Sequence, residues 1–231
     1  MTRYLDLTIC FICSTKISLP EGVLFAWFYD LVSSRMERLG VGIWRRELLH
    51  EIQGDILEIG AGTGRNLIHY GQGVRRLWML EPDQSMRAGI CRKSRGQAIS
   101  GSVMVLASKA EALPFADNSV DAVVSTLVLC SVENAKNAIH EIKRVLKPGA
   151  GFYFLEHVGA FDQERRLSWQ RRVDPLWCHL AGGCSLTRDT KSLLRESGLS
   201  IESMDMSELP GTGYLVGPAI RGVARKLPLK T

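Results

Sequence analysis

The segment Gly54 to Gly64, GDILEIGAGTG, restricts the fold of this chain more than any other. Gly54 to Ile59 carries the apolar run of a buried strand, alternating glycines follow at once, and a short helical stretch begins at Arg65. Strand, tight turn and helix in that order form the first unit of a layered α/β domain. Glycines at such a turn let the backbone approach a ligand closely, and the first N–H groups of the helix are free to donate.

The rest of the chain repeats the alternation. Leu77 to Leu80, Val103 to Ala107, Val120 to Ser125 and Gly151 to Leu155 have strand length and composition. Asn134 to Leu146 sets Ala135, Ala138, Ile139, Ile142, Val145 and Leu146 at helical spacing, and Lys147-Pro148-Gly149 is expected to end that helix. Thr190 to Ser197 predicts a helix stopped by Gly198, with late strands near Leu199 to Met206 and Ala219 to Ala224. This order predicts an α/β domain with a mainly parallel sheet covered by helices on both faces. A chain of 231 residues with 45% apolar content can bury one such core. The domain is expected over residues 51–231, with residues 1–50 an apolar, helical segment packing on it.

The insert Gly159 to Asp189 differs in composition. Arg165, Arg166, Arg171 and Arg172 surround Trp169, and Trp169, Val173, Leu176 and Trp177 recur at helical intervals, with Pro175 expected to kink or restart the helix. Ligands of open parallel sheets bind beyond the carboxyl ends of the strands, where this insert emerges, so residues 159–189 are a candidate lid. Its Trp and Leu stripe reads as core.

The net charge of +5 is too modest to select among an anionic membrane, an acidic substrate and nucleic acid. With no appended binding module and no aromatic-basic pattern beyond Trp169, a nucleic-acid partner is not expected. The cysteines Cys10, Cys13, Cys91, Cys130, Cys178 and Cys184 lie in apolar contexts and suggest a reducing compartment. Cys10-x-x-Cys13 lacks a second ligand pair, and Cys178, His179, Cys184 and His157 fit no zinc spacing, so no metal is expected. Near the start, Leu7 to Cys13 and Val23 to Phe28 are apolar, but Asp6, Lys16, Pro20 and Glu21 interrupt them. No run approaches the roughly 20 residues of a spanning helix. The expectation is a cytoplasmic protein, with peripheral membrane association left open by this segment.

The glycine spacing narrows the ligand. A dinucleotide fingerprint begun at Gly60 needs glycine or alanine where Arg65 stands, and no Gly-Lys-Ser/Thr follows to make a phosphate loop. Glu58-x-Gly60-x-Gly62-x-Gly64 instead suits a cationic, phosphate-free cofactor, a sulfonium compound with an amino-acid tail. Glu81, ending the second strand, can accept both ribose hydroxyls, and Pro82 and Met86 can pack on an adenine.

At these residues the chain resembles the class I S-adenosylmethionine-dependent methyltransferases. The motif Leu57 to Gly64, the segments Ala110 to Phe115 and Asn118 to Asp121, and EIKRVLKPG at Glu141 to Gly149 occur in the family's order. The resemblance implies a Rossmann-like, mostly parallel seven-stranded sheet and S-adenosylmethionine as cofactor. It implies Glu58, Gly60, Ala61, Gly62, Thr63, Gly64 and Asn66 around the methionine end, Glu81 at the ribose and Ala110 with Glu111 near the adenine. Thr126 and Leu127 would lie against the reactive end. Lys109 departs from the pattern, standing where many relatives have an acidic residue that accepts from the adenine amino group.

Outside the cofactor half, Thr126 to Val132, Phe154 to Val158, Trp169-Gln170, Asp174-Pro175-x-Trp177 and Gly183-Cys184-x-Leu186-Thr187-Arg188 look like the methyltransferase-like 7 family. That resemblance implies a small alkyl thiol as methyl acceptor and association with membranes or lipid droplets. His157 is the candidate base and Arg188 a source of positive field, while Asp174 either orients His157 or an ammonium acceptor or simply caps a helix at Pro175. The basic insert and the tail Arg221, Arg225, Lys226, Lys230 support a second reading, methylation of an aminophospholipid or a quinone at a membrane surface. A third is a non-catalytic, cofactor-binding partner subunit.

Overall fold

The computed structural model describes residues 33–95 and 101–228. Cys10, Cys13, the apolar runs of the first thirty positions and Lys230 lie outside the described residues. A π-helical turn, Glu37–Val41, leads into α1, Gly42–Leu49. Then follow β1 Gly54–Ile59, a 3-10 turn Arg65–His69, β2 Val74–Leu80, α2 Gln84–Ser94, β3 Ser102–Leu106, β4 Val120–Thr126 and α3 Ala135–Val145. The remainder is β5 Leu146–His157, α4 Glu164–Leu180, α5 Thr190–Glu196, β6 Ser200–Glu208 and β7 Pro218–Arg225.

The seven strands form one sheet in the order β3-β2-β1-β4-β5-β7-β6. β1 through β5 pair in parallel, and β7 runs antiparallel between β5 and β6. The alternating side chains of the strands divide into two buried layers. Leu57, Ile59, Val123, Phe152 and Phe154 pack with Ala138, Ile139 and Ile142 of α3 and Leu194 of α5. On the opposite face, Ile56, Leu77, Met79, Ala122 and Val124 meet Leu49 of α1, Leu67 of the 3-10 turn and Ile90 of α2. Helices therefore cover both faces.

Three expectations need correction. β5 starts at Leu146, directly after α3, and Lys147-Pro148-Gly149 lies inside the strand, not in a turn before it. The pairing with β4 shifts register there and Gly149 takes a φ of 80°, so the irregularity is absorbed as a local bulge. Second, of the kink or restart expected at Pro175, the restart does not occur: α4 runs through it as one helix. Pro175, Arg171 and Arg172 face solvent, so water can satisfy the Arg171 carbonyl that loses its helical donor. Third, the insert's apolar stripe is not core: Trp169 is 49% exposed, Leu176 64% and Leu180 67%. Arg172 stacks over the Trp169 ring at 5.2 Å. No described helix is long and apolar enough to cross a membrane.

Because Pro175 removes a donor from an exposed helix interior, Pro175→Ala should stabilise the protein by about 1–3 kcal/mol. Chemical denaturation reads this as a raised midpoint, and an unchanged or lowered midpoint contradicts it.

Candidate active site

The sheet order reverses direction at β1 and β4. Strands before β4 extend to one side, those after it to the other, and the crevice at their carboxyl ends is where such sheets bind ligands. A cavity of about 390 Å³ opens there. Its walls include Gly60 and Gly62, then Glu81, Pro82 and Met86 after β2, and Ala110 and Glu111 after β3. Leu127 and Val128 after β4 and Ala181 and Gly182 at the end of α4 close it.

The glycine turn is shaped by positive φ at Gly60 (55°), Gly62 (55°) and Gly64 (80°), a region where side chains are strained. A Cβ on Gly60 would also lie 2.5 Å from a Val128 methyl carbon. Glu81 is fixed beside this turn: Oε2 accepts from Gly62 N at 2.8 Å and Oε1 from Asp83 N at 2.9 Å. Each oxygen keeps a lone pair for a ligand hydroxyl. Burial raises the Glu81 pKa, and the two backbone donors oppose that rise. Asp83 caps α2 by accepting from Met86 N, which sets Met86 in the wall.

Behind the turn lies a smaller recess of about 10 Å³, lined by Glu58, Ala61, Thr63, Asn66 and Thr126 together with Arg45. Glu58 is 1% exposed and accepts from Tyr70 Oη at 2.7 Å and Asn66 Nδ2 at 3.0 Å. Desolvation dominates and raises its pKa to about 7. Arg45, from α1, donates to Asn66 Oδ1 and Thr126 Oγ1, both at 2.7 Å, and to Glu37 at 2.9 Å. Nothing in the local sequence singles out Arg45 from its neighbour Arg46. Only the packing of α1 across β1 and β4 makes it an interior charge.

Directly after β4, Leu127 adopts a φ of 61°, a strained conformation for a leucine, and its N–H bonds Leu155 O at 2.7 Å. Glu156 holds the segment that follows. Fully buried, its carboxylate accepts from Val128 N and Leu129 N, each at 2.9 Å, and from Ser125 Oγ. Burial pushes its pKa up to about 8 against those donors. Glu156 lies in the EHV segment, but its bracing role carried no signal in the sequence.

Glu111 lines the cavity and accepts from Asn134 N at 3.2 Å, and Lys109, also in its wall, pairs with Glu133 at 2.6 Å. His157 is 2% exposed and is not in the cavity wall; its Nδ1 faces Cys184 Sγ at 3.9 Å. Asp174 is neither beside His157 nor at a helix start. From within α4 its carboxylate accepts from Ser185 Oγ and Thr187 Oγ1 at 3.1 Å and from Leu186 N at 2.5 Å, fixing the turn after the insert helix. Arg188 donates to Val132 O at 2.8 Å and so ties that turn to the segment after β4. Cys130 joins His157 and Cys184 in one cluster, which Cys178 and His179 do not enter.

The sequence profile described as a methyltransferase domain matches residues 57–154. Human thiol S-methyltransferase TMT1A is 36% identical over 172 residues, covering 74% of this chain and 70% of that protein. Rat thiol S-methyltransferase TMT1B is 30% identical over 224 residues, 93% of this chain and 88% of that protein. The chain belongs to the TMT1A/TMT1B family of class I methyltransferases. Among solved structures, the enzyme resembles a putative Haloferax volcanii methyltransferase in complex with the Trm112 activator, at a TM-score of 0.65 and 18% identity. That match covers 91% of this chain and 98% of the other. A Methanosarcina mazei S-adenosylmethionine-dependent methyltransferase matches at 0.62 and 21%, covering 79% and 96%. Both show the fold. The methyltransferase is thus an enzyme whose family and fold imply S-adenosylmethionine, and the bare backbone of Gly60 and Gly62 in the cavity wall, with Glu81 fixed beside it, fits that cofactor.

Glu58 makes the stability of this methyltransferase pH-dependent. Its folded pKa of about 7 exceeds the ordinary 4.5, so between these values the unfolded chain loses the proton first. The contribution is present below about pH 4.5 and is lost as pH rises through 7. Glu58→Gln should flatten that part of the profile in urea unfolding at acid and neutral pH. Parallel profiles for the two proteins contradict the burial assigned to Glu58.

Proposed function

We propose that the enzyme binds S-adenosylmethionine in the cavity at the ends of β1 and β4 and methylates a small thiol. The observation that carries the acceptor is the extent of the likeness to rat TMT1B. It spans 93% of the chain, well beyond the methyltransferase domain match ending at residue 154, and so takes in the acceptor-side insert.

When bound, S-adenosylmethionine supplies a methyl group already activated on a sulfonium. The chain's own residues bind and orient. Glu81 accepts from the ribose hydroxyls through its remaining lone pairs, Pro82 and Met86 pack on the adenine, and the Ala110 N–H with Glu111 meets the base edge. Glu58, Asn66 and Thr126, with Arg45 anchoring them, form the polar end for the methionine ammonium and carboxylate, beside Gly60, Ala61, Gly62, Thr63 and Gly64. Thr126 and Leu127 present backbone to the reactive end, with Glu156 holding the chain behind them. Ala181 and Gly182, from the candidate lid 159–189, narrow the cavity there and exclude water.

A thiol asks little more of the protein. With a solution pKa near 8.5, about a few per cent is thiolate at neutral pH, and in-line displacement then depends on alignment. Asp174 acts as a positioning residue for the wall, and His157 faces Cys184 from behind it.

The test incubates the enzyme with labelled S-adenosylmethionine and a panel of alkyl thiols, aminophospholipid vesicles and quinols, with products identified by mass. Methyl thioether alone is expected. Label only in the lipid or quinol fraction would replace the thiol with a membrane acceptor, for which the exposed Trp169, Leu176 and Leu180 would be the docking face.

A further inference from the structure

We propose that Cys130, His157 and Cys184 form a three-ligand Zn²⁺ site whose fourth coordination position takes the sulfur of the acceptor thiol. The three come from separate places in the fold: the segment after β4, the last residue of β5 and the turn after α4. Their ligand atoms all lie within 4.8 Å of one another. A tetrahedral zinc with S and N ligands needs separations of about 3.3–3.8 Å, a contraction that side-chain rotation provides.

His157 supplies the second observation. It is 2% exposed, Nδ1 faces Cys184, and Nε2 is buried without a hydrogen-bond partner. Nδ1, on the side turned to the cluster, carries the lone pair that a cation between the two sulfurs would take, and Nε2 then carries the ring proton. Two thiols and an imidazole select a soft or borderline cation over Mg²⁺ or Ca²⁺. No fourth His, Cys, Asp or Glu joins the cluster among the described residues. Three protein ligands with an open position are the arrangement of catalytic zinc, not of closed structural sites. Spacing rules miss it because each ligand stands 27 residues from the next.

The cluster lies directly behind the cavity wall, none of its three residues being among those that line the cavity. Cys130 Sγ is 3.5 Å from Ser131 Oγ, and Ser131 and Gly182 both line the cavity. On binding, Cys130 and Cys184 each release a proton to solvent, and two thiolates balance the metal charge. An acceptor R–SH gives its proton to solvent and coordinates as thiolate. Its sulfur then attacks the methyl group: the new C–S bond forms as the sulfonium C–S bond breaks, with that electron pair kept by the departing S-adenosylhomocysteine. The uncharged thioether is a poor ligand and leaves. The fourth-ligand assignment rests on the thiol reading above; the metal site does not.

The test titrates full-length, metal-free enzyme with Co²⁺ and follows thiolate-to-cobalt charge-transfer absorption. One equivalent should bind, and an added alkyl thiol should intensify the band. In Cys184→Ser the band should fall by about half, one of two thiolates being gone. S-adenosylhomocysteine binding and far-UV circular dichroism of that variant report its fold, and a Zn²⁺-dependent rise in the wild-type melting temperature gives a readout needing no variant. Absence of the band and of the Zn²⁺ effect overturns the site, as does an undiminished band in folded Cys184→Ser. A band that ignores added thiol overturns the fourth-ligand assignment. A thiol-responsive cobalt band with no thiol product in the methylation panel places the failure in the acceptor reading instead.

Discussion

The turn after β1 relies on glycine at positions 60, 62 and 64, each at a φ that side chains rarely adopt, and most of the candidate site follows from that requirement. With no Cβ at Gly60, Val128 packs against the turn and brings the end of β4 beside the end of β1. With Gly62 N–H turned outward, Glu81 is held by its carboxylate at the mouth of the cavity. The crevice at the reversal of strand order is thereby lined by bare backbone on one side and by an oriented acid on the other. Such a surface suits a ligand with hydroxyls and positive charge better than one with phosphates.

A set of interior charges holds this surface in place. Glu58 and Glu156 stand next to the last residues of β1 and β5, the strands on either side of β4, both buried, and each is given hydrogen-bond donors in place of water. Arg45 crosses from α1 to the Asn66 and Thr126 side chains and so joins the helix to the ends of β1 and β4. Removing one member of such a network leaves the others buried and unsatisfied, a larger loss than the bond itself. The strained Leu127 persists because Leu155 O and the Glu156 carboxylate fix the chain on either side of it. Rigidity at the β4 end of the cavity is therefore built into the sheet.

Much of this was legible in the sequence where local pattern and global fold agree. The strand-turn-helix of Gly54 to His69, the runs of β3 and β4 and the α3 periodicity specify their own conformations, and one cavity gathers Gly60, Gly62, Glu81, Pro82, Met86, Ala110, Glu111 and Leu127. What was not legible depends on packing between distant segments. Arg45 has the same local context as Arg46 but the opposite environment. Pro175 reads as a breaker, yet sits on a solvent face where water replaces the lost bond. The insert stripe of Trp169 and Leu176 has core periodicity and is exposed, because helical spacing identifies a face without saying what meets it. Cys130, His157 and Cys184 converge only after β4, β5 and α4 are in place.

The central claim is that the Glu81 carboxylate and the glycine turn form one cofactor site. Isothermal titration of S-adenosylmethionine into the wild-type enzyme and into Glu81→Ala tests it directly. One equivalent should bind the wild type, and the variant, with its circular dichroism unchanged, should bind about tenfold or more weakly, as expected for loss of hydrogen bonds to a charged group. Equal affinity in the two proteins, or no binding by the wild type, would contradict the account.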